Sequence, residues 1–309
     1  MIICCGEALI DMLPRAVDGK GETNGFLPVT GGAIFNTAIA LGRLGTKTAL
    51  LGGISNDMFG EQLMAGLTAS NVGVGLCFRS NQPTTLAFVE LIEGVANYSF
   101  FDENSAMRMF SEENTPPIPK ETSALQFGGI SLTVGPSAAA YEAVLNQAAT
   151  SVIAIDPNIR TGFIKDGDAY RARLQRMISQ SDIIKVSDED FAWMHPDEGF
   201  DEIANGWIKQ GASLVILTMG KNGSRAITRS DDFSIAAQSV EVVDTVGAGD
   251  AFNAGVLFDL QSNCLLTKKA LAKISKHDAE RAVDFATSVA AHTVSQAGAN
   301  PPWLSEVGG

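Results

Sequence analysis

The sequence predicts an α/β chain: a Rossmann-like, mainly parallel sheet with helices on both faces and a small β-strand lid. Three observations predict it. Short, near-continuous apolar runs alternate with helical patterns through most of the 309 residues, the pattern of parallel strands covered on both faces. Two stretches in the N-terminal half, 13–30 and 84–101, break that rhythm. Finally, a glycine-rich turn at 244–252 stands between a strand-like run and a helix-like run.

The elements follow in order. Ile2–Cys5 is an apolar strand, so the adjacent Cys4 and Cys5 point to opposite faces. Residues 13–30 are Gly-rich and lack helical period. A helix over 33–44 opens on Gly31-Gly32. A strand over 48–51 leads through the loop 52–60 into a helix over 60–69. Residues 84–101 alternate in strand fashion (Leu86, Phe88, Glu90 and Ile92, then Tyr98 and Phe100). With 13–30 they read as antiparallel strands outside the main sheet, or as an ordinary edge hairpin. Pro116, Pro117 and Pro119 mark a connector back to the core. Strands at 125–127, 152–155, 182–186 and 214–218 then alternate with helices at 137–149, 170–180 and 201–210. Residues 234–243 look strand-like, and Phe252, Val256 and Leu260 recur at helical spacing. The tail at 300–303 reads as non-helical chain over the surface. The expectation is one domain over 1–309, with the lid built from about 12–30 and 84–110.

Composition bounds the function. Hydrophobic residues make up 45% and charged residues 18%, enough for a large core. No run approaches the ~18 uninterrupted apolar residues of a membrane span, and the N-terminus lacks the basic segment of a signal peptide. A formal charge of −13 argues against nonspecific nucleic-acid binding. The four cysteines and three histidines show no metal-ligand spacing. Buried thiols in a reducing cytoplasm are the expectation.

The turn at 244–252 carries the most chemistry. Glycine lets backbone N–H groups converge on one point, and the helix that follows aims its free N–H groups and positive dipole end there. That is an anion hole. A carboxylate at its edge would repel a merely bound anion. Asp250 makes sense as a base that takes a proton while the N–H groups of Gly247, Ala248 and Gly249 stabilise a transferring phosphoryl group. The same residues also read as a plain turn with Asp250 as helix N-cap. A second glycine pair, Gly31-Gly32, opens the helix that bears Asn36, whose amide suits a hydroxyl-rich ligand; a glycine turn with a helix-facing Asn is the alternative.

Other polar groups stand at strand ends, where such sheets bind ligands: Asp11, Asp156, Ser187 and Gly220. The loop 52–60 either shapes a pocket floor or simply connects. Arg160 is placed to meet a phosphate or Asp156. The turn of Thr218, Gly220 and Gly223 suits a nucleotide phosphate or ribose. There is no G-x-x-x-x-G-K-[ST], Gly247-Ala248-Gly249 is not completed at Phe252 as a dinucleotide fingerprint, and no G-x-S-x-G is present.

Together these motifs resemble the ribokinase-like carbohydrate kinases, the PfkB family. One signature runs from Gly31-Gly32-Ala33-Ile34-Phe35-Asn36 through Leu41-Gly42-Arg43-Leu44-Gly45. The other is Asp244-Thr245-Val246-Gly247-Ala248-Gly249-Asp250-Ala251-Phe252. Within the family the chain is most similar to bacterial fructokinases, through Cys5-Gly6-Glu7-Ala8-Leu9-Ile10-Asp11, Phe101-Asp102-Glu103-Asn104-Ser105-Ala106 and Asp156-Pro157-Asn158-Ile159-Arg160. Kinases for 2-keto-3-deoxygluconate and other ketoses share much of this pattern.

The resemblance implies transfer of the γ-phosphate of ATP, with Mg²⁺, to a hydroxyl of a small sugar, with fructose the expected acceptor. Asp250 would be the base. Asp11, Gly32, Asn36, Arg108 and Arg160 would lie on the sugar side, and Thr218, Gly220 and Gly223 along the nucleotide. Asp244 and Val246 match part of a monovalent-cation (K⁺) site. The lid would exclude water from the transfer. One departure stands out: Ser187-Asp188-Glu189-Asp190 replaces the family's Asn-x-x-Glu, so Asp190 is carried over as a Mg²⁺ group acting through water, and Ser187 is not carried over. Exposed lid edges favour pairing, so a homodimer through the lid stands as the alternative to a monomer. The rival readings are a nucleoside kinase of the same fold and a sugar or nucleotide sensor without chemistry.

Overall fold

The computed structural model describes residues 1–16, 25–92, 95–133 and 135–307. The expected lid stretch 13–30 is therefore seen at its two ends, and its middle, 17–24, lies outside the described residues.

Strand β1 (Ile2–Cys5) opens the main sheet. Strands β2 (Leu9–Arg15) and β3 (Gly25–Gly31) leave it for a second sheet. Helix α1 (Ala33–Arg43) leads to β4 (Thr48–Ser55) and α2 (Met58–Ala69). Two short strands, β5 (Val72–Gly73) and β6 (Cys77–Ser80), pair with β4 in parallel. The hairpin β7 (Leu86–Ile92) and β8 (Val95–Phe101) completes the second sheet. Strands and helices then alternate through β9 (Ala124–Gly128), α3 (Ser137–Gln147), β10 (Val152–Asp156), α4 (Gly167–Ile178) and β11 (Ile183–Ser187). Helices α5 (Asp188–Met194) and α6 (Phe200–Gln210) precede β12 (Leu214–Thr218). An antiparallel edge, β13 (Ser224–Thr228) and β14 (Asp232–Ile235), ends the sheet. Helices α7 (Ala248–Ser262), α8 (Lys268–Leu271), α9 (Lys276–Val294) and α10 (Leu304–Val307) close the chain.

The main sheet runs β14-β13-β12-β11-β10-β9-β1-β4-β5. Its central strands are parallel and almost wholly apolar. Strand alternation divides the core as expected. Ile2 and Cys4 join the core beneath α1, α7 and α9, while Ile3 and Cys5 join the one beneath α3, α4 and α6. The chain moves from β1 to β4 on one side and later fills β9 on the other, so the sheet's switch point lies between β1 and β9 and leaves a crevice beyond their C-terminal ends. Among the described residues no helix is long and apolar enough to cross a membrane.

The second sheet has the order β3-β2-β7-β8. Its two hairpins are antiparallel, but the central pair, β2 with β7, is parallel. The expectation of antiparallel strands throughout is corrected here. Both β2 and β7 leave the main sheet at the same end, β2 after β1 and β7 after β6, so they run in the same direction. Leu9, Asp11 and Phe100 face the crevice. Phe26, Phe88 and Phe101 form an edge-to-face aromatic cluster on the outer side.

Further corrections have clear causes. Gly52 and Gly53 lie inside β4 rather than in a loop after it, because the strand continues to Ser55 by pairing with β6; backbone crowds both positions, so that a Cβ on Gly52 would meet Gly6 O at 2.4 Å, and one on Gly53 would meet Ala106 O at 2.0 Å. The second sheet ends at Phe101, and Phe110 beyond it is fully buried and stacks on Tyr141 of α3. The strand expected over 234–243 stops at Ile235. Beyond it, Val240, Val242 and Val243 are exposed, and the backbone N–H groups of Val243 and Asp244 bond the end of α9 at Val294 O instead of a strand. In the tail, Pro301 and Pro302 are buried rather than on the surface.

Candidate active site

A cavity of about 300 Å³ opens between the second sheet and the C-terminal ends of the main strands. Its walls bring together Asp11, Gly32, Asn36, Arg160 and the whole turn from Thr245 to Asp250. These residues are up to 239 positions apart in the expectation drawn from sequence, from Asp11 to Asp250. A larger hollow of about 500 Å³ between α4 and α6, lined by Leu174, Ile178 and Trp207, holds none of these groups.

Gly247 caps α7 with φ +79°, a left-handed conformation that favours glycine. A Cβ there would also lie 2.7 Å from Ala299 Cβ. Asp250 is thus the third residue of the helix and not its N-cap. Its Oδ2 accepts a 2.9 Å hydrogen bond from Asn36 Nδ2, and its carbonyl accepts from Thr37 Oγ1 at 3.3 Å. These bonds join the two glycine motifs where α1 packs on α7. First-turn N–H groups have no intrahelical acceptor, and the one from Ala248 to Thr245 O is long at 3.4 Å.

Asp250 is 6% exposed. Burial raises its carboxyl to about 7, with the Asn36 hydrogen bond and the charges of Lys185 and Arg160 opposing and Asp156 adding to the rise. A carboxylate poised near neutrality is suited to taking a proton and giving it up.

On the lid side, burial raises Asp11 to about 6 against the charge of Arg160. Gly31 leaves room for that carboxylate: a Cβ there would sit 2.1 Å from Asp11 Oδ2. Gly32, at φ +107°, is pressed against Glu7. Glu7 was not foreseen as a site residue. It is 1% exposed, lines the cavity, and accepts the α1 N–H of Ala33 at 3.1 Å and that of Ser131 at 3.4 Å. Burial raises its carboxyl. Asn158, also unforeseen, lines the cavity with φ +45°. Phe100 packs against Phe163, with ring centroids 4.0 Å apart and the rings tilted at 47°, and forms an apolar wall. Arg108 does not join this group. It pairs with Asp102 at 3.1 Å outside the cavity lining.

Beneath the turn, Arg160 does not meet Asp156, as sequence allowed; Arg160 Nη1 donates to its neighbouring carbonyl at Ile159. Asp156 instead bonds Lys185 at 2.9 Å and Asn253 at 2.7 Å. Lys185 and Asn253 escaped the sequence reading, although a lysine inside the apolar strand Ile-Ile-Lys-Val was a legible signal. Asp190 stands in the first turn of α5, capped by Ser187, and its Oδ1 accepts from Ile159 N at 2.9 Å. Burial, then the charge of Asp156, raises its carboxyl. Among the described residues no group of three or more His, Cys, Asp or Glu could hold a metal ion unaided.

Thr218, Gly220 and Gly223 gather at the end of β12, outside the cavity lining. Thr218 is in register with Ser187 of β11, the strand beside the turn. Gly220 and Gly223 have φ of +52° and +84°. Asp244 Oδ1 accepts from Val246 N at 3.0 Å and Oδ2 from Gly298 N at 3.0 Å, which fixes the approach to the turn. No residue of 52–60 lines the cavity; between β4 and α2, Asp57 caps the helix through Gly60 N and also accepts from Thr84.

Comparison with known proteins agrees with this geometry. Residues 1–306 match the family described as pfkB family carbohydrate kinase. The chain is 48% identical over 277 residues to the fructokinase of Rhizobium leguminosarum bv. trifolii, covering 89% of this chain and 84% of that protein. The crystal structure of fructokinase with bound ATP from Xylella fastidiosa superposes with a TM-score of 0.91 at 27% identity, covering 99% of this chain and 96% of that one. Fructokinase from Vibrio cholerae O395, in its fructose, ADP and calcium ion bound form, gives a TM-score of 0.81 at 25% identity, covering 96% and 94%.

Proposed function

The chain belongs to the pfkB family of carbohydrate kinases, and on that premise we propose that it phosphorylates fructose with Asp250 as general base. It is an ATP-dependent sugar kinase with a ribokinase-like fold. Fructose as acceptor is supported by the 48% identity to a fructokinase. The observation that carries the mechanism is the buried Asp250, held by Asn36 at the foot of a glycine turn in the one cavity those motifs share.

A sugar hydroxyl is a poor nucleophile until its proton has an acceptor. Asp250 takes that proton as the oxygen meets the γ-phosphorus, and the N–H groups of Gly247, Ala248 and Gly249 stabilise the phosphoryl oxygens. Asp11, Gly32, Asn36 and Arg160 orient the sugar from the cavity wall, and Phe100 excludes water. Arg108 has a positioning role, through Asp102. Thr218, Gly220 and Gly223 lie along the nucleotide, which would cross Ser187 to reach the turn. Exposed Val240, Val242 and Val243 offer an apolar face for the base of ATP.

Mg²⁺ fits this donor set. A single carboxylate, Asp190, and no protein cage among the described residues suit an ion that keeps waters and phosphate ligands. When bound, it would offset charge on the phosphate oxygens. Each oxygen of Asp244 accepts one N–H group and keeps a second lone pair, so Asp244 with Val246 would hold K⁺ at the approach to the turn.

The reading extends to organisation. Residues 1–309 form one kinase domain with the second sheet as its lid. Two copies pair through that sheet, supported by the exposed Phe26 and Phe101 on its outer side. Free, buried thiols at Cys4 and Cys5 suit a reducing cytoplasm.

The test is ATP-dependent phosphorylation of fructose, ribose, 2-keto-3-deoxygluconate, tagatose and adenosine, each with and without K⁺. The highest kcat/KM is expected on fructose. Turnover confined to another member would move the acceptor and keep the mechanism, and no turnover on any would refute both.

A further inference from the structure

Under the phosphate turn lies a buried cation that the kinase reading leaves without a role. Lys185 stands in β11 between Ile184 and Val186 and is 5% exposed. Its Nζ lies 2.9 Å from Asp156 Oδ2 and 3.1 Å from the point where a Cβ on Gly249 would project. Asn253, one turn further along α7, donates to the same Asp156 oxygen at 2.7 Å. One carboxylate oxygen therefore ties β10, β11 and α7 together. The other oxygen of Asp156 is buried without a partner, so the pair is not arranged to satisfy itself fully.

We propose that Lys185 is a positioning residue for phosphoryl transfer: pinned by Asp156, its ammonium holds the first turn of α7 and places a fixed positive charge beneath the anion hole and Asp250. The inference rests on Asp250 being the base. Two arguments separate it from a merely structural ion pair. A buried pair adds little net stability over apolar packing, and this one stands in an otherwise apolar strand. A fixed charge against Gly249 also lies where the transferring group gathers negative charge, in a site sheltered from water. The groups facing Asp250 are Asn36 from α1, Asp156 from β10, Lys185 from β11 and Arg160 from the loop after β10. Lys185 and Arg160 favour its ionised form, and Asp156 opposes it. Burial works against the charge on Lys185, yet Asp156, Asp190 and Asp250 outweigh it and keep the ammonium above its ordinary range.

The experiment reads the acid limb of kcat/KM against pH, with thermal melts alongside, in Lys185→Met, Lys185→Arg and Asp156→Asn. Losing the cation should move the limb up by about one pH unit and, from this cause, lower kcat/KM about fivefold at pH 7. Losing the Asp156 charge should move the limb down, and Lys185→Arg should leave it in place even if melting falls. A scaffold role alone would lower the melting temperature and leave both limbs unmoved, or move both in one direction; either result overturns the proposal. If Lys185→Met does not fold, the other two variants decide, and a raised limb in Asp156→Asn or Lys185→Arg is the overturning result. Asp250→Asn is run in parallel. If it is inactive at every pH, the base assignment stands whatever the lysine variants do; if it is active, that assignment fails first.

Discussion

Replacing Asn36 with leucine should shift the pH dependence of catalysis without unfolding the enzyme. The side chain is nearly isosteric, and α1 keeps its packing on α7. What is lost is the 2.9 Å hydrogen bond from Asn36 Nδ2 to Asp250 Oδ2. That bond favours the ionised carboxylate, against burial, which raises the group to about 7. A hydrogen bond to a charged group contributes about 1.5–3 kcal/mol. At about 1.4 kcal/mol per pH unit, the acid limb should climb by ~1–2 units. The sign follows from the role: a base acts when ionised, so a raised limb costs activity below it. At pH 7 the ionised fraction would fall from about a half to ~1–10%, and kcat/KM by roughly 5–50-fold from this cause alone. Near pH 9.5 that part of the loss should shrink to about twofold or less. Because Asn36 also lines the cavity, KM for the sugar is expected to rise at every pH. The position of the limb is therefore the readout, taken from initial rates between pH 5.5 and 9.5. A limb that stays in place, with a loss equal at all pH values, would refute the link between Asn36 and the Asp250 proton.

Three further outcomes are expected. Gly247→Ala forces a side chain into φ +79° and against Ala299, so kcat should fall well over tenfold and the melt should report a loss of about 1–3 kcal/mol. Asp57→Ala removes the cap of α2 and the tie to Thr84, so chemical denaturation should show a loss of about 1–2 kcal/mol with KM for sugar and ATP unchanged. Because hydrogen bonds hold the Asp57 carboxyl below its usual range against burial, that contribution is present above the unfolded value and disappears as pH falls through the folded one. Phe101→Asp puts a charge on the outer lid face, where Phe101 is 62% exposed; sedimentation velocity should show a dimer for the parent chain and a monomer for the variant.

Much of this architecture was legible because the physics is local. Near-continuous apolar runs mark β1 and β9 through β12, and glycine pairs mark the openings of α1 and α7. What was hidden depends on contacts distant in sequence. Gly52 and Gly53 look like a loop, and only pairing with β6, distant in sequence, makes them strand. Val240, Val242 and Val243 look like a strand, yet find no partner strand and bond the end of α9. In the site, Asp250, Asn36, Asp11 and Arg160 could be picked out by residue type and place. Glu7 could not, because its meaning lies in what burial puts beside it, the first N–H of α1; Lys185 stood out in its apolar strand, but its partner Asp156 under the turn did not. Arg108 was drawn to the site by resemblance, but Asp102 holds it elsewhere.

The most direct test of the central claim is the turnover of Asp250→Asn with ATP and fructose at pH 8, measured beside the affinity of the same variant for ATP. Removing a general base should lower kcat by roughly 10²–10⁴-fold, while ATP still binds within a few-fold of the parent affinity. A variant that binds ATP and turns over within about tenfold of the parent would show that Asp250 does not take the proton.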